Sequence, residues 1–383
     1  MNSLFERLLS TSEVMEALSD RHFVRAMLQF EAALARAQAS VGLMPQTASA
    51  SIVGTCKVEL FDVLKLVREV GSARSATQPL VKSLRETVGL FNPEAERYVH
   101  FACSDQDLAD TAQVLITRDA LDLISADLSH ILTKLHELVN SHAVTPMLAR
   151  SPLQASTITT FGLKCVQWAA PLQRAQQRLG LAADKALSLQ FGGLAGPQAE
   201  LQGKGQQMLA LMASELQLKA PSLPWRTQRD EWVALAGELA LLVASLASLA
   251  QNMLHLAQCE VAELTPPDNS CSVALAAAQR VPQCLSTLLL TLAQDHDGGL
   301  GHWQAALAQW PTLLMSTHGA TRAMALALTG LQVHTDQMRS HLEARRAAAP
   351  SREAAALFAP ELAQQAAELA RQHLLDLHAI TES

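Results

Sequence analysis

Thr227 to Leu264 reads TQRDEWVALAGELALLVASLASLAQNMLHLAQCEVAEL, thirty-eight residues with no proline and one glycine, Gly237. Leu235, Leu239, Leu242, Leu246, Leu249, Met253 and Leu256 recur in it at alternating spacings of four and three. That is an apolar seam at helical period, so the whole stretch is expected to form one helix. At about 1.5 Å per residue it would run roughly 57 Å, longer than a small domain is wide. Alanines, with Leu241, Val243, Leu254 and Val261, fill much of the remaining surface, so more than one face expects a partner. Such a rod is stable inside a bundle, and its all-round apolar character suggests a bundle shared between subunits. The seam turns polar at its end, where Glu260 and Glu263 take the next positions. A polar cluster of Arg226, Gln228, Arg229, Asp230 and Glu231 marks its start.

Around this rod the rest of the chain also reads as helix. Residues 1–97 divide into short helices. Among them Phe23 to Val41 is amphipathic and closed by Gly42 and Pro45, and another begins at Pro79. A second long helix is expected over Gln106 to His142, and a turn between Pro146 and Pro152. A third helix should run from about Thr157 to Ala186, bent near Pro171, and a fourth from about Val273 to Gln294, kinked at Pro282. Helices are also expected over Gln198 to Leu216, Trp303 to Arg346 and Arg352 to Ile380. The glycine-rich run from Phe191 to Pro197 lacks the GxGxxG spacing and follows no strand, which makes it a poor phosphate cradle. No period of 20 to 50 residues repeats, so the chain is not a solenoid. The fold class is all-α: a long central helical bundle over 98–332, with small helical domains over 1–97 and 333–383.

Composition agrees and excludes several functions. Hydrophobic residues make up 49% of the chain but aromatics only 4%, a balance of alanine and leucine that favours helices over a sandwich or barrel. The net charge of −7 provides no basic footprint for nucleic acid. Cys56, Cys103, Cys165, Cys259, Cys271 and Cys284 lie far apart with no CxxC pair. They read as free thiols of a reducing cytoplasm and make a zinc site a poor reading. Leu239 to Leu254, the most membrane-like stretch, carries Ser245, Ser248, Gln251 and Asn252, so no membrane partner is expected.

Four stretches together resemble the fumarase/aspartase superfamily, most closely its lactone-forming cycloisomerase branch. Tyr98-Val99-His100, Gln106-Asp107 and Asp110-Thr111 are similar to that family's first signature region. Arg150, Leu153 and Gln154, with Thr160-Phe161-Gly162, are similar to its second. Leu189 to Gly193 with Gly196 resemble the glycine loop that follows. Trp225 and Thr227-Gln228-Arg229-Asp230, with the rod ending at Glu260-Val261, resemble its central helix. The resemblance covers roughly residues 15 to 345 and implies a homotetramer. In it, helices of four subunits form one bundle, and each active site draws on three subunits at a bundle end. It also implies a small carboxylate substrate and no cofactor or metal. The implied reaction is lactonising: the substrate's own carboxylate adds to an alkene, on a small unsaturated tricarboxylate of aromatic-acid catabolism.

This chain departs from the family pattern where the family's chemistry is concentrated. The GSSxMPxKxNP loop belongs between the rod and the next helix, yet Leu264 passes to Val273 through only Thr265 to Ser272. The implied serine base, and the Lys and Asn that hold a carboxylate, are missing with it. Ser270 and Ser272 lie nearby without flanking glycines. Asp105 stands where a neutral hydroxyl is expected, and a substrate carboxylate at ~4 Å would be repelled by about 4 kcal/mol at an effective dielectric near 20. Arg226 replaces a histidine, Arg74-Ser75 replaces a Gly-Asn pair, and the C-terminal domain is shortened.

By motif position, His100 and Ser104 are the candidate catalytic residues, and Arg150, Ser151, Gln154, Gln228 and Arg229 the candidate substrate-binding ones. Each also has a structural reading. His100 either faces ligand or packs in the core. Arg150 and Gln154, four apart at an expected helix start, either fork onto a carboxylate or belong to an ion pair or solvated face. Arg229 either binds an anion or pairs with Asp230 at the rod's start. Asp295-His296-Asp297 is a weak metal set and reads as a solvated loop. Two function classes follow: a cycloisomerase-type enzyme, or a catalytically impaired paralogue serving as an oligomeric binding or structural subunit.

Overall fold

The structure is a computed structural model that describes residues 4–151, 154–192, 201–293, 296, 301–349, 351 and 356–381. Five small helices come first: α1 (Ser12–Ala17), α2 (Asp20–Ser40), α3 (Gln46–Thr55), α4 (Val63–Ala73) and α5 (Gln78–Phe91). The bundle follows as α6 (Asp105–His142), α7 (Phe161–Ala186), α9 (Asp230–Ala257), α10 (Ser270–Leu290) and α11 (His302–Thr329). α8 (Gly205–Leu216) is inserted before the rod, and α12 (Thr335–Ala347) and α13 (Pro360–Thr381) end the chain. Each bundle helix packs on the next, α6 on α7, α7 on α9, α9 on α10, α10 on α11, and α11 back on α6. α6, α9 and α11 start at one end, since Trp303 bonds Asp110, Trp310 bonds Thr117, and Trp232 stacks on Trp310. α7 and α10 run back the other way, as Arg178–Glu238 and Gln309–Cys284 contacts require. The end where α6 starts is called the head below, and the other the foot.

All seven seam residues of α9, six leucines and Met253, are buried. The rod is nonetheless ten residues shorter than the sequence suggested: it spans 28 residues, and α6 with 38 is the longer helix. Its ends are set by tertiary partners. Arg229 leaves the helical region to meet Asp110, and past Gln258 the chain doubles back so that Glu263 N–H donates to Leu256 O. α7, α10 and α11 run continuously through Pro171, Pro282 and Pro311. The helices expected over Trp303 to Arg346 are two, α11 and α12, while the one expected over Gln198 to Leu216 begins only at Gly205 among the described residues.

Two β pairings were not foreseen. β1 (Pro146–Arg150) and β2 (Ala155–Thr160) form an antiparallel hairpin at the foot, where the sequence suggested the start of a helix at Thr157. Thr157 to Thr160 is a β-branched run that suits a strand, and α7 begins only after Thr160, whose hydroxyl accepts from Leu163 N–H. β3 (Leu264–Thr265) pairs with β4 (Gln332–Val333). α12 and α13 pack on the hairpin, with Leu148, Ile158, Leu342 and Phe358 as a small core. The N-terminal helices share a second core with the first turns of α6 and with α8. α9 and α10 are each long and apolar enough to cross a membrane, and α9 is mostly covered by the bundle.

Candidate active site

The head is built on the start of α6. Ser104 closes a capping box: its hydroxyl accepts from Asp107 N–H at 3.2 Å, while Asp107 Oδ2 accepts from Ser104 N–H at 3.0 Å. Ser104 Oγ also donates to Asp107 at 2.8 Å and lies 3.4 Å from an Arg226 nitrogen. Asp107 Oδ1 accepts from Gln190 at 2.9 Å, and Gln190 Oε1 in turn accepts from Trp225 N–H. One turn on, Asp110 accepts both prongs of Arg229 at 2.8 and 3.2 Å, the Trp303 indole at 3.0 Å and Gln106 at 3.1 Å. Arg229 is 1% exposed and lies against the Trp225 ring. The first signature, the residues before the glycine loop and the start of the rod are thus knit into one buried network.

His100 sits just before this cap, in the left-handed region at φ 58°. Its Nδ1 is 2.5 Å from Oε1 of Glu31, a carboxylate buried on the apolar face of α2. Burial disfavours the imidazolium, yet Glu31, with help from Asp105 and Asp107, leaves the pKa above its ordinary value. His100 Nε2 and Arg229 Nε are buried without a hydrogen-bond partner among the described residues. Asp105, expected to repel a substrate carboxylate, is held by donors: its Oδ2 accepts from Ser75 at 3.1 Å and Gln78 at 3.0 Å, in the first turn of α6. Gln228 is exposed beside Arg229.

The foot holds the remaining candidates. Arg150 ends β1 and does not share a helix with Gln154. The two belong to a hairpin turn, with Ser151 N–H donating to Gln154 O, and both Ser151 and Gln154 are exposed. Arg150 forks onto Glu263, at 3.0 Å to Oε2 and 2.6 Å to Oε1. Glu263 is fully buried and also meets His341 Nδ1 of α12 at 2.9 Å, while His341 Nε2 bonds Gln337. Lys164 nearby has its pKa lowered by burial and by the charge of Arg150. From β3 the chain reaches α10 through Pro266 to Asn269 alone, and Ser272 Oγ donates to Asn269 O. Asp295 and Asp297 lie outside the described residues. Among those described, no three His, Cys, Asp or Glu side chains gather as a metal site.

The candidates therefore fall into two groups, His100, Ser104, Gln228 and Arg229 at the head and Arg150, Ser151 and Gln154 at the foot. The length of α6, about 57 Å at 1.5 Å per residue, separates them within one chain. Glu31, Glu263 and His341 were missed by sequence reasoning. Glu31 and Glu263 left a trace, as charges on apolar helical faces; His341 left none.

An up-and-down helical bundle with these motif stretches in this order defines a lyase of the fumarase/aspartase type. The family profile described as Lyase matches residues 7–272, and the chain belongs to that family. It is 36% identical over 358 residues to the 3-carboxy-cis,cis-muconate cycloisomerase of Pseudomonas putida, covering 89% of this chain and 85% of that protein. It is 37% identical over 357 residues to the enzyme of the same name from Pseudomonas aeruginosa, covering 89% and 78%. The crystal structure of 3-carboxy-cis,cis-muconate lactonizing enzyme from Pseudomonas putida superposes with a TM-score of 0.92 at 32% identity, covering 99% of this chain and all of that one.

Proposed function

We propose that this chain is a 3-carboxy-cis,cis-muconate cycloisomerase of aromatic-acid catabolism. The observation that carries the reading is superposition on a lactonizing enzyme along essentially the whole length of both chains. In the proposed reaction a substrate carboxylate oxygen bonds to an alkene carbon as the π bond breaks. The neighbouring carbon, alpha to another carboxylate, takes a proton, and one carboxylate becomes the lactone ester. His100, whose protonated form is favoured, holds that proton, and Ser104 fixes the start of α6 beside it. Gln228, Ser151 and Gln154, exposed at head and foot, meet the substrate carboxylates, and Arg229 and Arg150, whose forks hold Asp110 and Glu263, position them.

Because head and foot lie far apart in one chain, the working site needs the foot of one subunit against the head of another. We take the assembly to be a homotetramer. A second seam on α9 supports this: Ala234, Gly237, Leu241, Ala244, Ser248, Gln251 and His255 recur at spacings of three and four on its outer side. Small residues there allow close helix approach, and Leu289 and Leu290 of α10 are exposed beyond it. The six cysteines are free, in keeping with a reducing cytoplasm.

The test is the ultraviolet loss of 3-carboxy-cis,cis-muconate with the purified chain, beside sedimentation of the same sample. Turnover by a tetramer is expected. One observation favours a second reading, a subunit without turnover: only four residues join β3 to α10, where the family's mobile loop belongs. A folded tetramer that leaves the substrate untouched would decide for that reading.

A further inference from the structure

Between the N-terminal helices and the bundle lies a cavity of about 480 Å³, within the range of small-molecule sites. Phe23 of α2, Ile116 of α6 and Trp303, Leu307 and Pro311 of α11 make its walls apolar and partly flat. Arg74 lines the same space, and among the described residues it makes no hydrogen bond or ion pair. It is the C-cap of α4 at φ 51°, ψ 29°, a left-handed position that glycine fills without a steric cost. An arginine held there, exposed to solvent at the edge of an apolar cavity, is the arrangement a carboxylate with an apolar body would satisfy. Asp20, at the first turn of α2, lies on the same cavity and disfavours a second carboxylate.

We propose that this cavity binds a small aromatic monocarboxylate, its carboxylate on the Arg74 guanidinium and its ring against Trp303 and Phe23. The charge on Arg74 sets the anion, and a lining with one cation and one carboxylate sets the number of carboxylates. This is a different ligand class from the tricarboxylate of the proposed reaction, and binding does not depend on whether the chain turns over. The indole of Trp303 also bonds Asp110, the partner of Arg229, so occupancy is readable at the head of the bundle.

Benzoate is titrated into the full chain by calorimetry, with Trp fluorescence as a second readout. Benzyl alcohol and tricarballylate serve as neutral and polyanionic controls. Benzoate should bind, and Arg74→Gly should raise its Kd at least about tenfold, the usual scale for a charge-assisted contact. Arg74→Gly suits the left-handed backbone, so its thermal midpoint should not fall, and Leu307→Trp should close the cavity and abolish binding. No binding by the wild-type chain overturns the proposal. So does equal affinity for benzyl alcohol, equal affinity in Arg74→Gly, or tighter binding of tricarballylate.

Discussion

Arg150 and Glu263 meet through two parallel hydrogen bonds across 113 residues of sequence, joining the end of a hairpin strand to the turn after the central rod. The carboxylate is fully buried and the guanidinium about one-fifth exposed. Together with His341 the pair also ties α12 to the foot of the bundle.

Removing one partner strands the other, so Arg150→Ala is expected to destabilise the chain by about 2–4 kcal/mol, somewhat below a fully buried pair because Arg150 is partly solvated. Urea unfolding of Arg150→Ala, Glu263→Ala and the double variant measures it. The double variant should lose clearly less than the sum of the two. Strict additivity would mean that the ion pair contributes nothing to stability.

Arg229 and Asp110 are buried more deeply, and Asp110 also accepts from two further donors, Trp303 and Gln106. Asp110→Ala should therefore cost more than Arg150→Ala, about 3–5 kcal/mol, and should release the Trp303 indole. Denaturation followed by tryptophan emission reads both effects. A variant as stable as wild type would remove this network from the list of forces holding the head together.

Why some of this was legible and some was not follows from where each constraint lies. The buried face of α9 is written in the period of its own leucines, because burial of one stripe is a local pattern. Its ends are not, since Arg229 stops the helix at Asp110 and Glu263 turns back to Arg150, each more than a hundred residues away. The same holds at the site. His100 and Arg150 could be located by motif, but the carboxylates that occupy them come from other segments. Ser104 and Asp107, three apart, could have been read as a capping box before any catalytic role. The hairpin was hidden for a different reason: two strands of five and six residues give little periodicity beside a 26-residue helix.

Gly162, in the Thr-Phe-Gly stretch, illustrates a motif residue explained by packing. A Cβ there would lie 2.6 Å from Ala143 Cα and 2.9 Å from His142 O, both backbone atoms that cannot swing aside. Gly162→Ala should push α7 away from the end of α6 and cost about 1–3 kcal/mol despite alanine's better helix propensity. A thermal midpoint equal to or above wild type in a calorimetric scan would show that this approach is not a constraint.

The His100–Glu31 pair gives stability a pH signature whose sign can be worked out. Burial works against the imidazolium, but Glu31 and the nearby Asp105 and Asp107 leave the folded-state pKa above the ordinary value of 6.5. A group that binds its proton more tightly when folded stabilises the fold below the unfolded pKa, and loses that contribution as pH rises through the folded one. His100→Asn should thus cost about 1–3 kcal/mol at pH below 6.5, the range for a hydrogen bond to a buried charge. The deficit should shrink steadily toward alkaline pH, where wild-type His100 is neutral as well. Unfolding free energies of the two proteins across a pH series test this. A deficit that stays flat or grows with pH would mean that His100 is not held as the cation of this pair.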